Sequence, residues 1–208
     1  MSDRLVLDLP PSMGRRLALD DYRRDFRKRD GEVVDRPSWK FERRQYFYEK
    51  GDPSREAFRL GKWRESLRLL DAERDELRVS ALEDEKRGHL FHRVRVVQEP
   101  LTPYLQWELH ALRVQEECGH PIRVIQAEDL GPWERFQLLP EVVVLGGRTL
   151  YEVVYTESGV LDGGIRFTDS DLAKRWESFI KDLFVAGEDV ISYTDRRVVE
   201  LPAPLAGE

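Results

Sequence analysis

Apolar positions along this chain keep two rhythms, and the change of rhythm is sharpest in RVRVVQEPLTPYLQWELHALR, residues 93–113. HRVRVV (92–97) has the β-branched texture of a strand. A turn follows, and then a helix. Thr102 stands at the N-cap and Pro103 at the first helical position, where a missing N–H costs nothing. Leu105, Leu109 and Leu112 recur at helical spacing, flanked by Tyr104, Trp107, Ala111, Val114 and Cys118. Gln106, His110, Arg113 and Glu117 take the opposite, polar side. Glu108 falls inside the apolar arc.

The same reading extends over the rest of the chain. Leu19, Tyr22 and Phe26 predict a helix over 19–29, acids early and bases late, stopped at Gly31. SWKFERRQYFYE (38–49) alternates and predicts one long strand. Trp39, Phe41, Arg43, Gln45 and Phe47 share one face; Lys40, Glu42, Arg44, Tyr46 and Tyr48 share the other, which would be exposed. Ser54 can cap a short helix ended by Gly61. Residues 62–87 form the longest helical pattern, amphipathic, with a possible break near Val79-Ser80. CGHPIRVIQA predicts a strand, PEVVVLGGRTLYEVVYT a hairpin about Gly146-Gly147, and GGIRFTD another short strand. Thr168 or Asp169 caps a last helix carrying Leu172, Trp176, Phe179, Ile180, Leu183 and Phe184, ended by Gly187.

These elements predict an α/β (α+β) protein. Residues 1–14 form a loose leader, 15–195 a single domain, and 196–208 a tail. Within the domain, a mainly helical N-terminal lobe (15–88) packs on a mixed-sheet α/β lobe (89–195), with no flexible linker between them.

Glu108 focuses the question of chemistry. A carboxylate pressed against a core must be paired, hydrogen-bonded or protonated. Arg43, Arg93 and Arg95 are the candidate partners. A semi-buried ion pair fixing helix on strand is the economical reading; a general acid or base in a pocket is the sharper one. A Glu reaching solvent at the edge of the arc is the third.

Composition narrows the classes. The 208 residues are 40% hydrophobic and 36% charged, with a net charge of −6. Residues 1–100 carry a balance of +3 and the remainder −9. The intermixed signs suggest a solvated surface, although the basic segment from Arg15 to Arg44 leaves a nucleic-acid accessory role as an alternative. No apolar run approaches the roughly 20 residues that span a bilayer, and MSDRLVLDLPPSMGRR has no cleavage pattern, so a cytoplasmic location is expected. Cys118 is the sole cysteine. No disulfide, cysteine cage, His-Glu zinc motif, phosphate loop or nucleophile elbow is found, so neither metal nor cofactor is expected.

WKFERR (39–44), SREAFRLG (54–61) and above all RVVQEPLTPYLQWEL (95–109) resemble a widespread actinobacterial family, domain of unknown function 6879, over most of residues 20–193. The resemblance carries Glu42, Arg44, Arg95, Glu99, Tyr104 and Glu108 as matching positions; Arg43 joins them on strand alternation alone. It implies company rather than chemistry: members are typically encoded beside helix-turn-helix regulators. The expected function is therefore a non-catalytic regulatory contact with such a protein. The alternative is a ligand-binding protein or enzyme with a pocket around Glu108 and Arg95. The second lobe also resembles half of a phospholipase D-like fold. Its nucleophilic His two residues before a Lys is missing, since Phe91, Val94, Leu112 and Ile122 stand two after each His.

Overall fold

The structure is a computed structural model that describes residues 7–204. Residues 1–6 of the expected leader and 205–208 of the tail lie outside the described residues. The chain opens with β1 (Arg15–Ala18) and α1 (Leu19–Gly31), then β2 (Ser38–Glu42). Three helices follow: α2 (Pro53–Arg59), α3 (Trp63–Ala72) and α4 (Arg74–Lys86). Next come β3 (Phe91–Val97), α5 (Pro103–Glu117) and β4 (Ile122–Gln126). The chain continues through β5 (Val142–Leu145), β6 (Thr149–Tyr155) and β7 (Leu161–Phe167), and closes with α6 (Ser170–Ala186), β8 (Glu188–Asp189) and α7 (Val190–Arg197).

The described strands form one mixed eight-stranded sheet in the order β1-β7-β6-β5-β2-β3-β4-β8. The α/β class expected from the pattern is therefore the class observed, but this strand order gives no support to a phospholipase D-like half. The mainly helical segment up to residue 88 also supplies two strands. β2 lies inside the sheet, parallel to β3 and antiparallel to β5. On one face, α6 packs Leu172, Trp176, Phe179 and Ile180 onto Trp39, Phe41, Val94, Val142 and Val144. On the other face, α1 covers β6 through Tyr22 and Phe26 against Tyr151. α5 covers β3 and β4 through Leu105, Leu109 and Leu112 against Val97, Ile122 and Val124.

Several local expectations need correction. The strand over 38–49 ends at Glu42 because side chains replace its partners. Glu141 accepts the N–H groups of Arg43 and Arg44, at 2.9 and 2.6 Å. Gln45 donates to the Val96 carbonyl and accepts the Gln98 N–H. The even face of 38–49 is open only in part: Glu42 is buried beneath the second helical layer, while Tyr48 is exposed. Asp52, not Ser54, caps α2 by accepting from the Arg55 N–H; Ser54 is buried and accepts from Trp107 Nε1. The long helical stretch breaks at Glu73 rather than near Val79. The break lets Leu70 stay in the core while Leu77 turns onto α5. α7 and the short β1 and β8 add elements the pattern did not reveal. His110, expected to be solvated, packs its ring edge-on against Trp63.

Candidate functional site

β3 points alternate side chains at the helical layer that carries α5, and two of these are arginines: Arg93 and Arg95. The parallel register sets Lys40 beside Arg93 and Glu42 beside Arg95 on β2. Like charges side by side on neighbouring strands repel. Here Glu42 relieves the repulsion, with Lys40 Nζ at 2.5 Å from one oxygen and Arg93 Nε at 3.6 Å from the other. Burial works to raise the Glu42 pKa, but the charges of Arg93, Lys40 and Arg95 win and hold it at about 2.

Arg95 reaches away from this group to Glu108. Its Nε and second guanidinium nitrogen lie 2.8 and 2.7 Å from Glu108 Oε2. Its remaining nitrogen donates to the carbonyls of Arg44 and Val96, at 2.6 and 2.9 Å. The Phe47 ring lies under the guanidinium, 5.4 Å to the centroid. Arg95 is 0% exposed and Glu108 7%. The Tyr104 hydroxyl, one turn earlier on α5, lies 3.2 Å from Glu108 and 3.1 Å from Glu49, and the two carboxylates share its one hydrogen. Burial pushes the Glu108 carboxyl upward, Arg95 pulls it back, and Glu42 adds to the push. A longer contact from Arg95, 3.4 Å, reaches the Glu42 carbonyl. With three carbonyl contacts and a carboxylate around it, Arg95 has no face left for a ligand. The pair locks α5 to β3 and to the loop after β2.

Residues 24–195 match the family described as Domain of unknown function (DUF6879). The chain belongs to the DUF6879 family. No curated protein matches it.

The other singled-out residues of this DUF6879 domain go elsewhere. Arg43 does not reach Glu108; it grips Glu134 with both carboxylate oxygens at 2.8–3.0 Å, and both side chains are nearly buried. Glu134 Oε1 also accepts the Leu139 N–H at 3.0 Å. The two contacts pin the loop between β4 and β5. Arg44 lies over the Tyr155 ring and donates to the Thr156 carbonyl. Glu99 pairs with Arg197 of α7 at the surface. The cluster drawn from the sequence thus divides into a buried network around Arg95, a loop clasp at Arg43, and a peripheral tie at Glu99. The basic segment is likewise divided among acids, with Arg16 on Asp162, Arg24 on Asp21 and Arg29 on Asp25.

Sequence reasoning passed over one constellation. Ser38 Oγ lies 2.7 Å from His89 Nε2, and His89 Nδ1 lies 3.9 Å from Asp84. A serine, histidine and acid so arranged raise the question of a nucleophile. Arg87 decides it, 3.2 Å from Nδ1. Arginine has only donors, so Nδ1 must accept, and the ring hydrogen sits on Nε2 and is given to Ser38 Oγ. A hydroxyl that accepts a hydrogen bond from histidine is not activated by it. Ser38 Oγ also accepts the Gly146 N–H, which ties the β5–β6 hairpin turn to β2. Burial lowers the His89 pKa and so favours the neutral ring this arrangement requires.

Proposed function

We propose that this domain acts by contact with another protein, as a non-catalytic interaction module, and that the loop from Gly131 to Pro140 is its contact surface. The observation that carries the reading is Phe136, whose side chain is 100% exposed on a loop clasped by the Arg43–Glu134 ion pair. Leu138 is 64% exposed, and Trp133 shows an edge while its ring packs on Phe179. The clasp fixes the backbone that carries this ring, so binding would have to order the side chain but not the loop, which suits an interface anchor.

The partner put forward is a helix-turn-helix transcriptional regulator. The family resemblance supports the choice through the company it implies. Charge supports it as well: Asp8 and Glu152 border the Phe136 groove, and the exposed Glu128 and Asp129 lie just before the loop, with Arg135 the opposing basic group. A DNA-binding protein has the basic surface that this rim complements. The test is co-purification of helix-turn-helix regulators from the source cells with tagged wild type and with Phe136→Ser. Recovery with wild type and loss with the variant supports the reading. Equal recovery with both contradicts it.

A further inference from the structure

The helical layer over the second sheet face is not closed. α1 covers β6 and β7, α5 covers β3 and β4, and between them lies a cleft of about 520 Å³. Its floor is the middle of the sheet, with Val143 on β5, Lys40 on β2 and Arg93 on β3 in one register row. Tyr22 and Phe26 of α1 form one wall, and Leu77 of α4 with Gln115 of α5 the other. A volume of this size, mostly apolar with a few converging polar groups, is the common form of a small-molecule site.

The charges give one part of it a sign. Two lining carboxylates, Asp30 and Asp84, lie against Arg87; on the floor, Lys40, Arg93 and Arg95 face two carboxylates, Glu42 and Glu108, in the network beneath the cleft. Arg95 is bound to Glu108 and three carbonyls. Lys40 and Arg93 therefore share the one carboxylate of Glu42, and both remain about a quarter exposed. Among the described residues, the Arg93 guanidinium forms no hydrogen bond of its own. Its Nε stands 3.6 Å from Glu42, beyond hydrogen-bonding distance, so the guanidinium has donors to offer. A guanidinium and an ammonium side by side, with donors to spare and apolar walls on both sides, suit an oxyanion on an apolar body.

We infer that this cleft is a binding site for a small amphipathic organic acid, its carboxylate or phosphate on Lys40 and Arg93 and its apolar body against Phe26, Phe91 and Val153. Nothing in this inference depends on the Phe136 loop, and either can fail alone.

The test uses a fluorescent apolar anion, 8-anilinonaphthalene-1-sulfonate, titrated into the folded full-length protein. Octanoate, octyl phosphate and octanol then compete, each below its micelle concentration. Saturable binding of one probe per chain is expected, displaced by octanoate or octyl phosphate at concentrations at least about tenfold lower than octanol, the step one charge-assisted contact supplies. Which of the two acids displaces better identifies the headgroup. Arg93→Gln, which leaves Glu42 its Lys40 partner, should weaken the probe about tenfold or more without changing the near-ultraviolet circular dichroism. Octanol competing as well as the acids would overturn the inference, and so would the absence of saturable binding to wild type, which needs no variant to fold. Probe affinity unchanged in a folded Arg93→Gln protein would overturn it too.

Discussion

Replacing Arg95 by methionine tests the buried network most severely. The substitution keeps the length and apolar stem of the side chain and removes the guanidinium. Glu108 then loses contacts at 2.8 and 2.7 Å and keeps only the Tyr104 hydroxyl, while the Arg44 carbonyl loses its Arg95 donor and the Val96 carbonyl keeps only Gln45. Breaking a buried pair by removing one partner costs roughly 3–5 kcal/mol, because the other charge stays desolvated and unpaired. That is a fifth or more of the stability of an ordinary domain, about 5–15 kcal/mol. For a chain of this length each kcal/mol lowers Tm by roughly 2–4 °C, so a drop of about 6–20 °C is expected. Arg95→Met/Glu108→Leu removes both charges and should recover at least about 1 kcal/mol of the summed single losses. Urea denaturation of wild type, both single variants and the double variant measures this directly. A single-variant cost below about 1 kcal/mol, or strict additivity in the cycle, would refute the picture of a buried, coupled pair.

Two further predictions concern the loop after β2 and its clasp. The Glu141 carboxyl is pushed up to about 7 by burial, helped by the Glu42 charge and opposed by the N–H groups of Arg44 and Arg43. An acid whose folded pKa lies above its unfolded value favours the folded state when protonated. Its contribution is therefore full below the ordinary carboxylate range and declines as pH rises toward 7. Glu141→Gln retains the acceptor for both N–H groups and should flatten that decline in a urea series between pH 4.5 and 8; an unchanged slope would contradict the assignment. Arg43→Ala removes the grip on Glu134, so amides 133–139, that of Leu139 above all, should exchange hydrogen faster while those of α6 do not. Equal protection in both proteins would show that the clasp does not order the loop.

The α5 end of the site was open to reading from sequence, because its signals are local. Thr102 accepts the Leu105 N–H as its position implies, and Glu108 is where its place in the apolar arc puts it, in need of a partner that a neighbouring strand supplies. The choice among Arg43, Arg93 and Arg95 could not be made locally. It depends on the parallel register of β2 with β3, a pairing across more than fifty residues of intervening chain. The end of β2 was hidden for the same reason: the groups that take over its hydrogen bonds come from Glu141 and from the Gln45 side chain, and neither alters the alternation of 38–49. Asp52 and Ser54 are both acceptable caps in sequence. Burial separates them, since Ser54 Oγ is engaged by Trp107 and Ser66. The Phe136 loop carries no periodicity, and its exposure is a property of the folded surface alone.

The most direct test of the proposed function is the affinity of the purified domain for helix-turn-helix regulators of the same organism, measured by titration calorimetry with wild type and with Phe136→Ser. Truncating an anchor ring typically costs 2 kcal/mol or more, so the variant should bind at least about thirtyfold more weakly with its melting temperature unchanged. Equal affinity of the two proteins, or no heat of binding with wild type, would contradict an interaction module centred on this loop.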